Sequence, residues 1–216
     1  GGGARLSRDM GRGIARIGGE RMKLGDLGDL MVLTLRDPDA AVAVLRGLDL
    51  PMATRWMVLL LAVTLSTLLA ALSLLLFPIE VDNPVSRMLS EPMTLAGIQL
   101  GAMALSALFV AQIGRLFGGH GTFADALLIV GWVELMLVGL QAVQVVMMAL
   151  FPATATLLSM LAFGLFLYLA VTMTKALHGF TSTGKVVVGL IGSIFLLGFV
   201  LSLIAAAFGI VPEVTP

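Results

Sequence analysis

Glu134 is the residue of this chain best placed to do chemistry. It is the one acid inside the long apolar run 126–150. Eleven helical residues separate it from Phe123, about 16 Å at 1.5 Å per residue, which is close to the midplane of a hydrocarbon core roughly 30 Å thick. A carboxylate at that depth costs at least about 2.5–3.5 kcal/mol, so the side chain must face the bundle interior, be protonated or find a partner. Gln141 lies seven residues on and shares its helical face. The other apolar runs offer Ser, Thr, Gln and Tyr168 but no basic residue at matching depth. This is the pattern of a proton- or cation-coupled site, with Glu134, Gln141 and Tyr168 as candidates. The structural alternative is an acid that hydrogen-bonds neighbouring helices.

The remaining polar motifs read more quietly. Thr122-Phe123-Ala124-Asp125 has the form of a capping box, with Thr122 at the cap and Asp125 three residues on, where the helix dipole also favours an acid. Gly118-Gly119-His120-Gly121 lacks the strand and spacing of a phosphate-cradling loop and reads as a flexible turn. Residues 179–185 fit GxxxxGK, but Val186 stands where a magnesium-binding hydroxyl belongs, so Lys185 reads as a membrane-interface anchor. His120 and His178 fall in loops on one side and read as ordinary surface. The chain has no cysteine and two histidines without HExxH, which excludes disulfides and thiolate chemistry and makes no case for a metal or another cofactor. No nucleophile, ligand set or paired acids share one depth, so an enzyme is not expected.

The elements that carry these residues follow from hydropathy and charge. The chain is 216 residues long and 59% hydrophobic, with a mean hydropathy of +1.06. No soluble domain of this size needs so much apolar sequence. Five runs, 56–77, 94–113, 126–150, 156–174 and 186–208, are long enough to cross a bilayer as helices and too long for barrel strands. Nine of the 13 basic residues precede the first run, and Arg115, Lys175 and Lys185 fall in or beside the loops on the same side. Arg87 is alone on the other, among Glu80, Asp82 and Glu91. The positive-inside rule then places the N-terminus in the cytoplasm and the C-terminus outside, with the first run an uncleaved anchor. A net charge of zero gives no field that would attract nucleic acid.

Ahead of the spans, residues 1–21 are rich in Gly and Arg and read as a disordered basic leader; the other reading is an amphipathic helix on anionic lipid. Gly19-Glu20-Arg21 before Met22 is what a purine-rich ribosome-binding stretch would encode, so the natural chain is expected to begin at Met22. Residues 22–55 form a cytoplasmic amphipathic segment. Leu27, Leu30, Met31 and Leu35 make a helical stripe, Asp37-Pro38 breaks and restarts the helix, and Asp49-Leu50-Pro51 leads into the first span. Such helices lie in the interface, pack under the bundle or dock a partner. Residues 209–216 are a short outer tail. Small residues spaced by four, Ala62/Ser66/Ala70, Gly97/Gly101 and Gly198/Ser202/Ala206, read as packing within the bundle, the other reading being a homo-oligomer seam.

Leu33-Thr34-Leu35-Arg36-Asp37-Pro38, the stretch from Gly118 to Glu134 with Phe123, Asp125-Ala126-Leu127 and Trp132-Val133-Glu134, and His178-Gly179-Phe180 together resemble the Yip family, five-span membrane proteins first known as Rab-GTPase interactors. The likeness runs from Met22 to the end of the fifth span and points to the bacterial branch, as does a composition rich in Ala, Gly, Leu and Arg. It implies a membrane-organising or partner-binding protein without catalysis.

The expected fold is therefore an all-α bundle of five transmembrane helices with short interfacial N-terminal helices, in a bacterial inner membrane. The expected function is non-enzymatic binding of a protein or lipid partner. The alternative is a small ion- or proton-coupled carrier or channel subunit that uses Glu134.

Overall fold

In a computed structural model the described residues are 24–78 and 90–207. The leader, the start at Met22, the outer-loop charges Glu80, Asp82 and Arg87, and the tail lie outside them. The backbone of an apolar run has no water to bond to in lipid, so each run closes its own hydrogen bonds as a helix. Two short helices, α1 (Leu24–Arg36) and α2 (Pro38–Gly47), precede five long ones. These are α3 (Met52–Leu76), α4 (Pro92–Leu116), α5 (Phe123–Leu150), α6 (Ala155–His178) and α7 (Thr183–Ala207), and a 3-10 turn (Pro152–Thr154) leads into α6. All five are long and apolar enough to cross a membrane. Each continues three or four residues past its expected span at the end that carries Arg55, Arg115, Asp125, Lys175 and Lys185. This basic end therefore holds an extra helical turn of polar and interfacial residues.

Local sequence fixes the breaks. Asp37 caps α2 by accepting from the Ala40 N–H at 3.0 Å, with Pro38 in the first turn, where its missing N–H costs nothing. Asp49 takes a left-handed φ of 42°, a conformation that short polar side chains tolerate, and turns the chain from α2 into α3. Gly179 ends α6 at φ 68°.

The hub is α5. Half of its most apolar window is buried inside the protein, against 6–22% for the other four spans. It packs against α3, α4, α6 and α2. A Cβ added at Gly131 would lie 3.3 Å from the Leu59 backbone, so the small residue lets α3 approach α5 closely there. The row beginning at Ala62 on α3 turns inward, Ala62 being fully buried, whereas Gly97, Gly101 and Gly198 face open space.

The N-terminal helices are part of this core. Leu30, Leu33 and Thr34 of α1 and Ala41, Val42 and Leu45 of α2 are buried. The Trp132 indole donates to Thr34 Oγ1 at 2.9 Å, and the Thr34 hydroxyl donates to the Leu30 carbonyl at 2.7 Å. Trp132 is nine residues into α5, about 14 Å along its axis, so α1 and α2 dock along the hub rather than beneath it. The buried face also differs from the expected stripe: Leu35 is 44% exposed, and Thr34 takes the inward place because Trp132 supplies a partner for its hydroxyl.

Candidate functional site

Three polar centres stand out against this apolar background. At mid-bundle, Gln99 of α4 uses its amide nitrogen twice, donating to Glu134 Oε1 at 2.9 Å and to Ser66 Oγ at 3.1 Å. The Ser66 hydroxyl donates to Gln141 Oε1 at 3.3 Å, and Gln141 Nε2 lies 3.5 Å from the Ser66 carbonyl. Thr67 Oγ1 lies 3.4 Å from Gln99 Oε1 and donates to the Val63 carbonyl at 2.8 Å. Glu134 and Gln141 thus belong to one hydrogen-bonded network of side chains from α3, α4 and α5. Tyr168 does not join it. Its hydroxyl donates to the Leu35 carbonyl at 3.0 Å, fastening α6 to the end of α1.

Beside the network, α4, α5, α6 and α7 enclose a cavity of about 300 Å³. Met103, Val133, Leu137, Leu169, Ala170 and Leu190 form much of its wall, and Glu134 reaches it from α5. Phe166, Ile191 and Ile194 also line it and are themselves exposed, so it opens between α6 and α7 toward the surroundings of the bundle. Of the three hydroxyls on the wall, Ser106 donates to the Ala102 carbonyl and Ser193 to the Gly189 carbonyl, each at 2.8 Å, and Thr174 lies four residues from the basic end of α6. The two serine protons are spent on their own helices.

The second centre lies at the basic end. Thr122 Oγ1 accepts from the Asp125 N–H at 3.1 Å, as an N-cap does. The Asp125 carboxylate turns to two arginines: Arg55 Nη1 at 2.7 Å and Arg46 Nε at 3.3 Å. Arg55 also donates through Nε to the Leu50 carbonyl at 2.8 Å. Arg55 and Asp125 are both buried, so the pair pins the α2–α3 elbow to the first turn of α5. Sequence alone read these arginines as topology signals; their pairing across 70 residues has no local signature.

The third centre is His178, which is 1% exposed rather than at the surface. Its Nδ1 accepts from the Gly121 N–H at 3.1 Å, and Nε2 lies 3.0 Å from the Val110 carbonyl. A backbone N–H can only donate, so Nδ1 must be bare and the proton sits on Nε2, where it bonds Val110. Cβ atoms added at Gly114, Gly119 and Gly121 would fall 2.2, 2.5 and 2.6 Å from ring atoms of His178. The glycine-rich turn is therefore a fitted cradle. It has no room for side chains because the imidazole at the end of α6 fills it. Arg115 Nε adds a bond to the Gly121 carbonyl at 3.2 Å, and the exposed His120 donates its N–H to the His178 carbonyl at 3.4 Å.

This geometry joins the segments quoted above from both ends of the chain: Thr34 to Trp132 and Gly121 to His178. The family model for the Yip1 domain matches residues 32–204, from the middle of α1 to the last turns of α7. The chain belongs to the Yip1 family. No curated protein and no solved structure matches it. The Yip1 match begins inside α1, so the docked N-terminal helices are part of the domain along with the five spans. Among the described residues of this Yip1 domain, no group of three His, Cys, Asp or Glu is placed to hold a metal ion.

Sequence reasoning passed over Gln99, His178 as a buried group, and the Arg55–Asp125 pair. Gln99 had a usable signal, being an amide inside an apolar run. It lies 17 residues from the basic end of its helix, however, against 11 for Glu134. Depth counted from helix ends separates the two by about 9 Å and hides the contact.

Proposed function

We propose that this Yip-family protein is a non-enzymatic component of a bacterial inner membrane, its basic end in the cytoplasm, and that it binds a lipid partner between α4, α5, α6 and α7. The observation that carries this reading is the cavity of about 300 Å³ walled by hydrocarbon side chains and open between α6 and α7. Its volume is at the lower end of small-molecule sites. Anything entering from between two lipid-facing helices comes from the bilayer. The N-terminal segment supports the lipid over a protein partner, because Leu30, Leu33, Ala41, Val42 and Leu45 are spent inside the bundle and are not free to dock a second protein.

A carrier built on Glu134 is not favoured. Between Glu134 and Asp125, α5 offers only Ala126 to Val133, and the one polar atom there, the Trp132 indole N–H, is bound to Thr34. Along α5, therefore, the network has no free polar group to hand a proton or ion on toward the basic end.

The test is a thermal shift on delipidated, detergent-solubilised protein titrated with lipid extracted from its own membrane. A ligand bound only by the folded state raises stability by about 2.7 kcal/mol at a hundredfold excess over Kd. We expect such a rise in the wild type and its loss in Ala170→Phe, which fills the cavity. Equal responses in both proteins would refute the reading.

A further inference from the structure

The cavity has a polar point, and the chemistry around that point defines what it accepts. Ser106 and Ser193 have turned their protons to their own helices, and Gln99 has committed both amide hydrogens, to Glu134 and to Ser66. The third wall hydroxyl, Thr174, sits four residues from the basic end of α6, so at mid-bundle depth Glu134 remains as a carboxyl on the cavity wall, its orientation fixed from behind by Gln99. Among the described residues no Lys, Arg or His lines the cavity. A phosphate or carboxylate head would meet no cation there and would stand against an acid, so anionic lipids are rejected. A zwitterionic head would have to carry its phosphate about 16 Å in from the basic end of α5, where charge is expensive. An alcohol pays neither cost. Its hydroxyl can both donate to and accept from a carboxyl, and its apolar body fits walls of Met103, Val133, Leu137 and Leu190.

Resting on the lipid-binding reading, we infer that the cavity is a site for an uncharged, single-headed lipid of the long-chain or polycyclic alcohol class, whose hydroxyl hydrogen-bonds to Glu134. Glu134 is then the residue that sets head-group specificity, and Gln99 is the positioning residue that aims it.

A photoactivatable long-chain alcohol, its diazirine near the hydroxyl, tests this on the full chain in lipid nanodiscs. Labelling is expected on α5 and α6 peptides around Val133, Leu137 and Ala170. Unlabelled alcohol should compete, and the fatty acid and primary amine of equal chain length should compete on the order of tenfold less well, the worth of one buried hydrogen bond between matched and mismatched heads. Glu134→Leu should lower alcohol labelling on the order of tenfold while Ala170→Phe abolishes it. The competition series needs no variant, so it decides the matter even if Glu134→Leu does not fold. Equal competition by all three heads, or preference for the amine or acid, overturns the specificity while leaving lipid binding intact. No labelling of the cavity by any probe overturns both.

Discussion

The His178 cradle makes a quantitative prediction from three glycines. Gly119→Ala puts a Cβ 2.5 Å from Nδ1 and 2.7 Å from the Cβ of His178, where ordinary contact needs 3.4 Å or more. The ring has nowhere to retreat, being 1% exposed and bonded at both nitrogens. Overpacking of this kind costs about 1–3 kcal/mol. If the ring shifts, the bonds from the Gly121 N–H and to the Val110 carbonyl weaken, each worth about 0.5–1.5 kcal/mol. The total is roughly 2–6 kcal/mol, a fall in Tm of roughly 4–24 °C for a chain of this size. The assay is thermal unfolding of detergent-solubilised protein followed by tryptophan fluorescence. Gly101→Ala is the matched control: nothing lies within 4 Å of its new methyl, and the helix gains propensity, so its Tm should hold or rise. In the double variant Gly119→Ala with His178→Gly the ring and the Cβ that the methyl would meet are both gone, and the two costs should fall short of additive by at least about 1 kcal/mol. A Gly119→Ala protein as stable as Gly101→Ala, or costs that simply add, would refute the idea that the imidazole fills the glycine turn.

Two more predictions concern how the N-terminal helices are held. Asp125→Ala leaves the buried Arg55 without its partner and should cost on the order of 3 kcal/mol, whereas Arg46→Ala, whose side chain is 45% exposed, should cost less than about 1 kcal/mol; the same unfolding assay compares them. Trp132→Phe removes the donor to Thr34 and should weaken the docking of α1 by about 1 kcal/mol. Hydrogen exchange should then rise within Leu24–Arg36 while α5 stays protected, and unchanged exchange in α1 would contradict the docked arrangement.

Much of the fold was legible because lipid simplifies the problem. An apolar run of 20 residues has one way to satisfy its backbone, so five helices follow from five runs. Short-range signals were equally plain: Asp37-Pro38 breaks the chain where α1 meets α2, and the Thr122 hydroxyl accepts from the Asp125 N–H. What was not legible depends on which faces meet. Thr34 reads as an outward residue until Trp132 is known to lie against it. The Gly118–Gly121 turn reads as slack until His178 is known to fill it. Gly131 is one of many small residues until Leu59 is known to cross there. Glu134 was conspicuous by the cost of burying an acid, yet its donor Gln99 was masked by helix offset, and Tyr168, suited to the same site by depth, is drawn away to the Leu35 carbonyl.

The central claim is that the cleft among α4, α5, α6 and α7 holds a lipid. Native mass spectrometry of the protein released gently from its own membrane tests it most directly. One lipid-sized adduct per chain is expected, surviving activation sufficient to strip loosely bound lipid and missing from Ala170→Phe. Wild-type protein that flies bare, or an adduct unchanged by filling the cavity, would contradict it.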